Sequence, residues 1–450
     1  MTKHRQSGAI EAGYSHSSYA WYVVSVLVLT TILSYTDRQI LSLIVDPLRH
    51  DLDISDIQVG LLMGTAFALV YGVAGIPFGW LADHTSRRRL IICGILLWSV
   101  GTVGCGLVHN FTQIFAARIV VGIGEAVLTP ASISMISDYF PPERRGSATG
   151  VFLMGIAIGA GGAILFGGLV LRLVKSGILA GTWLAGDAAW RVVFLLLGVL
   201  GVLPALVILL IREPARHADS QAQDGGLTNP DEDSGREMPW KLGARDWLRL
   251  TPVLLAVAIT SLIENGMFAW TPTLLIRNLH MPADQVGPIL GAFLMVGGGA
   301  GVLAGGILGD RARVINPVSG RMLLGLISAS LTAPAASFLL LGSVGSILGG
   351  ITIYTFLSGV GTGAGIAALL DLVPNRRRGL LIAISFFFNV ALGAGVGPVA
   401  VALAGEYLRL PGVQWALFVI AFPGFICVAA LFYLGHRAAE RAVGLIRLKA

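Results

Sequence analysis

Long apolar runs separated by short polar stretches organise this chain. Runs of about 17 to 25 residues, the length that crosses roughly 30 Å of hydrocarbon as helix, recur twelve times: 20–45, 57–82, 89–108, 111–137, 146–172, 190–212, 251–277, 285–309, 320–342, 346–371, 379–405 and 413–436. None alternates with the period of two that a barrel strand requires, and backbone groups in lipid must be bonded within each segment, so the runs predict helices. The first run is too long for a signal-peptide core and is expected to remain as a spanning helix. The pattern therefore predicts an all-α membrane protein with twelve transmembrane helices, numbered here as spans 1 to 12.

Between spans 6 and 7 lies REPARHADSQAQDGGLTNPDEDSGREMP, rich in Asp, Glu, Pro, Gly and Ser, which reads as a mobile cytoplasmic linker. It gives way to WKLGARDWLRL, where Trp240, Leu242, Trp247 and Leu248 alternate with Lys241, Arg245 and Arg249, a pattern suited to a helix lying among headgroups. The expected domains are an N-terminal tail 1–19, a six-helix bundle 20–212, a linker with interfacial helix 213–250, a second six-helix bundle 251–436 and a tail 437–450.

The two bundles read as repeats. GWLADHTSRRR after span 2 is echoed by GGILGDRAR after span 8, so that Gly79 stands four before Asp83 and Gly306 four before Asp310. DYFPPERRG after span 4 is echoed by DLVPNRRRG after span 10. The offsets, 227 residues from Asp83 to Asp310 and 233 from Asp138 to Asp371, are nearly equal. Two ordered echoes predict two pseudo-symmetric halves with a ligand site between them.

Composition supports the bilayer as solvent: charged residues are 12% of the chain, against roughly 25% in soluble domains, and mean hydropathy is +0.79. Of 31 Lys and Arg, 23 fall on the side of the termini and six on the other, namely Arg49, Arg172, Lys175, Arg191, Arg277 and Arg409. The positive-inside tendency places both termini in the cytoplasm of a cell whose inner membrane holds the protein. A net charge of +6 spread over short loops serves topology and does not indicate nucleic acid. Cys93, Cys105 and Cys427 lie inside apolar runs without metal-ligand spacing, so neither a disulfide framework nor a metal or cofactor is implied. GTGAGIAA from Gly361 fits a dinucleotide fingerprint formally but lies in an apolar helix with no preceding strand, where small residues serve close helix packing. No HExxH or GxSxG occurs, which argues against an intramembrane enzyme.

GWLADHTSRRRLI resembles the signature loop of the major facilitator superfamily, with His84 and Ser86 departing from its pattern and Gly79, Asp83, Arg87 and Arg88 in place. The resemblance covers all twelve spans and implies the major facilitator fold, a monomer that moves a small solute by rocking its halves. YTDRQILSLIVDPLRHDLDISDIQVGLL, ARIVVGIGEAVLTPA and GMFAWTPTLL are similar to the Spinster branch, whose animal members export sphingosine phosphate or lysophospholipids. In that branch an acid and a basic residue of span 1, with an Arg and a Glu seven apart on span 4, line the central cavity and are implicated in proton coupling. The matching positions are Asp37, Arg38, Arg118 and Glu125.

Depth arithmetic bears on three of these residues, Asp37, Arg118 and Glu125. At ~1.5 Å per residue, Asp37 is about 25 Å up span 1 and Arg118 about 10 Å down span 4, at similar heights. Glu125 lies two turns beyond Arg118 on the same face. An intramembrane charge costs about 2.5 to 3.5 kcal/mol on insertion scales and marks a cavity or a partner. The residues either form a permanent Asp37–Arg118 ion pair that orients helices, or they titrate, with protonation of Asp37 and Glu125 freeing Arg38 or Arg118 for an anionic headgroup. Glu264, near mid-depth in span 7, is a third titrating group or a substrate contact, or is hydrogen-bonded to a neighbouring Asn or Ser. Asp83 with Arg87 and Arg88, and Asp310 with Arg311, are placed to bridge the halves when the cytoplasmic side closes. Tyr35, Phe67, Tyr71, Phe268, Trp270 and Phe387 are candidate cavity aromatics. The expected function is proton-coupled transport of an amphipathic or anionic, lysolipid-like solute. A small organic or aromatic acid and a non-transporting receptor or scaffold are the alternatives.

Overall fold

The computed structural model describes residues 17–177, 188–214, 216, 244–372 and 384–447. Eleven described helices are long and apolar enough to cross a membrane: Ser17–Leu43, Asp56–His84, Arg87–Gly106, Phe111–Tyr139, Ala189–Leu209, Trp247–Leu279, Ala283–Ile315, Gly320–Leu340, Val344–Asp371, Ile384–Tyr407 and Val413–Arg441. Pro142–Lys175, a 34-residue helix, supplies span 5 and completes the twelve. The N-terminal tail, most of the linker, and the loop bearing Arg376, Arg377 and Arg378 lie outside the described residues.

Two expected boundaries shift. Span 7 is one helix from Ala244 to Leu279, so from Ala244 onward the segment assigned to an interfacial helix is the first turns of the span. Extending a nucleated helix costs less than starting another, and Pro252 removes one backbone bond without ending it. The C-terminal tail, expected from residue 437, likewise continues span 12 as helix to Arg447.

Helix pairing follows the repeat. Span 1 packs on span 5 as span 7 does on span 11; span 3 packs on span 6 as span 9 does on span 12; span 2 meets span 4 as span 8 meets span 10. The junctions between halves, span 2 with span 11 and span 5 with span 8, exchange under the same shift of six spans. Two six-helix bundles related by a pseudo-twofold result.

Three spans are interrupted where the halves or the buried charges meet. Span 2 breaks at Gly64, where a Cβ would stand 2.8 Å from the carbonyl oxygens of Ala394 and Gly395 in span 11. Span 4 breaks directly after Glu125. Span 11 contains a π-helical turn at Asn389–Ala394.

The described chain ends share one face, the terminal face, with the 85–86 and 140–141 turns; the opposite, distal face carries the 53–55 and 408–412 turns. Close contact between halves is on the distal side: Gly60 lies against Pro398, and Gly161 against Gly291 and Met295. Toward the terminal face a Cβ at Gly79 of span 2 or Gly306 of span 8 meets nothing within 4 Å among the described residues. Leu69, Val73, Ile76 and Trp80, one stripe of span 2, are exposed there. Among the described residues the halves touch distally and part on the terminal side.

Candidate functional site

Spans 1 and 4 bring together the four charged residues that the sequence places inside them. Asp37, Arg118 and Glu125 are at most 4% exposed, and the Arg38 side chain is 15% exposed. Burial of this kind requires paired charge, and the pairing crosses between helices. Arg38 Nη2 donates to Glu125 Oε2 at 2.8 Å, and Ser34 Oγ donates to the same oxygen at 2.7 Å. Ser34 lies one turn before Arg38, on the same helix face. Arg118 Nη1 is 4.0 Å from Asp37 Oδ2 and donates to the Asp37 carbonyl at 3.4 Å, while Thr102 Oγ1 of span 3 donates to Asp37 Oδ2 at 2.7 Å.

Depth alone placed Arg118 and Glu125 toward one space, but in this conformation Glu125 is bonded to Arg38. Helix phase decides this: Arg38 points its guanidinium across to span 4, where its tip reaches the level of Glu125. Three aromatic rings enclose the guanidinium carbon, at 4.5 Å from the Tyr35 centroid, 4.1 Å from Phe67 and 5.1 Å from Tyr71. Such contacts stabilise a desolvated cation by about 2 kcal/mol. Asp37 Oδ1, Glu125 Oε1, and Arg118 Nε and Nη2 are buried without a hydrogen-bond partner among the described residues. Incomplete satisfaction lowers the cost of exchanging one set of partners for another.

The other candidate aromatics separate. Trp270 donates to the Pro398 carbonyl at 2.8 Å and lines a distal cavity of about 590 Å³ with Arg277 and Asp56. Phe268 packs on the apolar core, and Phe387 is exposed. Glu264 of span 7 accepts from Thr362 Oγ1 at 3.3 Å and from Ser358 Oγ, both of span 10.

At the terminal face the charged loops bond within each half. Arg87 opens span 3, where a cation opposes the helix dipole, and Glu213 compensates. Its carboxylate accepts from the Arg87 and Arg88 backbone N–H groups at 3.0 and 2.9 Å, from Ser86 Oγ at 2.8 Å and from Arg87 Nε at 3.0 Å. Burial pushes the Glu213 carboxyl up, but the Arg88 N–H, the Ser86 hydroxyl and the Arg87 donors together hold it below the usual carboxylate range. Arg87 also pairs with Asp138. Asp310 pairs with Arg321 at 2.7 Å, in place of the neighbouring Arg311, and Arg321 also holds Asp371. Asp83 and Arg311 are exposed, with no ion pair among the described residues.

A charged bridge between halves does exist, on the distal face, and the sequence reading missed it. Arg277 at the end of span 7 donates through Nη1 and Nη2 to both oxygens of Asp56 at 2.8 and 2.9 Å, and through Nε to Asp46 at 2.7 Å. Its only sequence signal was membership of the sparse set of distal cations.

Residues 27–398 match the family described as Major Facilitator Superfamily. The chain is 30% identical over 402 residues to an MFS-type efflux pump of Mycolicibacterium smegmatis, a match spanning 86% of this chain and 85% of that protein. It is 26% identical over 399 residues to Protein spinster of Drosophila melanogaster, spanning 86% of this chain and 62% of that protein. Among solved structures, a bacterial homolog to human lysosomal transporter Spinster, in an inward-facing and unoccupied conformation, superposes with a TM-score of 0.79 at 24% identity, covering 95% and 99% of the two chains. These relatives and this fold are those of multi-pass membrane transporters, not of enzymes.

Proposed function

Because the chain belongs to the Major Facilitator Superfamily and is Spinster-like, we propose that it is a proton-coupled secondary transporter of an anionic amphiphile of the lysophospholipid or sphingolipid type. It acts as a monomer in the inner membrane with its termini, and hence its open face, toward the cytoplasm, the side that positive-inside counting selects. The observation that carries this reading is the Arg38–Glu125 bond inside the aromatic cage. A guanidinium is a permanent cation suited to bidentate anion recognition, and here its partner is an acid that a proton can neutralise.

Protonation of Glu125 removes the charge that holds Arg38, and an anionic headgroup takes the vacated donors. Protonation of Asp37 acts in the same way on Arg118, whose guanidinium is fully buried. Proton and substrate thus bind through one exchange of partners, and the rings of Tyr35, Phe67 and Tyr71 keep Arg38 in place while it occurs. Opening of the distal side then requires Arg277 to leave Asp56 and Asp46, while Asp83 and Asp310, exposed here, come within reach of the opposite half as the terminal side closes.

The test is uptake of a labelled lysophospholipid into proteoliposomes under an imposed pH gradient. Gradient-driven movement that is lost in Glu125→Gln is the expected result. Absence of lipid movement, with gradient-driven movement of short carboxylates instead, overturns the substrate class.

A further inference from the structure

Glu264, which is half-buried, differs from the buried acids described above in having no cation bonded to it among the described residues. Its Oε1 accepts from the hydroxyls of Ser358 and Thr362, and among the described residues no Lys, Arg or His bonds to it. Its carboxylate borders a cavity of about 160 Å³ between spans 7, 10 and 11, room on the order of five waters. Besides Glu264 the polar margin consists of Ser261, Thr362, Ser385 and Asn389, and the remainder is apolar, including Ile366 and Phe386. Asn389 Nδ2 donates to Ser261 Oγ at 2.7 Å. Asn389 also begins the π-helical turn of span 11, and such turns recur at functional sites because they re-aim backbone and side chains. Tyr354, near the same carboxylate, has a buried hydroxyl with no hydrogen-bond partner among the described residues.

Placement ties this cavity to the charged site of the other half. Counting ~1.5 Å per residue from the distal helix ends, Glu264 lies about 22 Å deep in span 7 and Glu125 about 21 Å deep in span 4. The π-helical turn that edges the cavity also packs on span 2, where Val390 approaches Gly72 beside the ring of Tyr71. An acid in an apolar, hydroxyl-rimmed pocket with no counter-ion among the described residues matches a lipophilic ammonium group: the carboxylate supplies charge, the Asn389 side-chain carbonyl supplies a further oxygen acceptor, and Phe386 and Ile366 take the first methylenes.

We propose that the cavity around Glu264 is a second substrate subsite, which binds the protonated primary amine of an amine-bearing amphiphile. This rests on the reading of the protein as a carrier of amphiphiles, and it assigns a site in the second half to the ammonium group that such solutes can carry beside their anionic group. The two halves then present opposite charge preferences, Arg38 in the first and Glu264 in the second.

Three probes with one eight-carbon chain decide the matter: octylammonium, N-octylacetamide and octyl sulfate, titrated calorimetrically at pH 7.5 against the full chain in phosphatidylcholine nanodiscs. Wild type binds octylammonium about tenfold or more tightly than the neutral amide, the advantage of a charge-assisted hydrogen bond. Glu264→Gln erases that preference and leaves octyl sulfate binding unchanged, while Glu264→Asp, which keeps the charge, retains the preference. Equal binding of the amine and the amide by wild type overturns the proposal, as does a preference that survives in Glu264→Gln. Stabilisation of wild type but not Glu264→Gln by sodium ions, without an ammonium preference, reassigns the cavity to a metal cation and also overturns it. Octyl sulfate reports separately on the carrier reading: if it binds no variant, the Arg38 site fails whatever the ammonium comparison shows.

Discussion

Replacing Glu125 with Gln tests the coupling of charge and anion binding most directly. In the structure Glu125 Oε2 accepts from Arg38 and Ser34, and its side chain is fully buried. Gln keeps the shape and one carbonyl acceptor but removes the charge that confines Arg38. A hydrogen bond to a charged partner contributes about 1.5–3 kcal/mol, below the 3–5 kcal/mol for stripping a buried charge of its partner outright, because the amide still accepts. Taking about 2 kcal/mol as the weakening, anion affinity at neutral pH rises roughly 30-fold, since the anion no longer competes with a carboxylate for Arg38. The assay is calorimetric binding of octyl sulfate, whose charge is constant across the range, at pH 5.5 and pH 8. Wild type binds more tightly at the lower pH; Glu125→Gln binds tightly and equally at both. An unchanged pH slope in the mutant, or weaker binding than wild type at pH 8, refutes the reasoning.

Asp37→Asn leaves the fully buried Arg118 without its counter-ion, and since that pair is loose at 4.0 Å, the loss is set at the lower end of the range, about 3 kcal/mol. A lowered unfolding midpoint, partly restored by adding Arg118→Met, is the expected result; no recovery in the double variant indicates that Asp37 acts through Thr102 instead. Arg277→Ala removes two half-buried ion pairs whose joint contribution is set at about 1 kcal/mol, so the population open on the distal side rises roughly fivefold. Spin labels at Thr112→Cys and Leu408→Cys should report a longer distance component in that variant, and identical distributions count against a latch. Glu213 has a carboxyl held below its ordinary value of 4.5, so its contribution to stability is complete above that value and disappears as pH falls through the lower folded value. Glu213→Gln is accordingly less stable at neutral pH, and its acid melting curve lacks the wild-type decline below pH 4.5; parallel curves argue against the cap.

Much of this architecture was legible because the bilayer imposes a length on every helix and a cost on every charge. Twelve apolar runs, two echoed loops and four charges inside two apolar runs led to the spans, the pseudo-symmetric halves and the charged residues of the buried cluster. Span ends were less legible where amphipathic sequence continues a helix past the hydrocarbon, as at Ala244–Leu250 and beyond residue 437.

Partner choice was not legible. Depth gives one coordinate of a side chain, whereas an ion pair depends on three, so Arg38 and not Arg118 bonds Glu125 only because of how spans 1 and 4 are rotated and how Phe67 and Tyr71 of span 2 close around the guanidinium. Thr102, Ser358 and the Arg277–Asp56 bridge carried no local signal, since each joins residues far apart in the chain. By itself the sequence determined the solvent, the number of helices and which residues lipid could not tolerate alone. The tertiary structure decided which of those residues satisfy one another and which, like Glu264, have only neutral hydroxyls as partners among the described residues, because charge compensation in a low-dielectric interior acts over a few ångströms and is settled only when the helices pack.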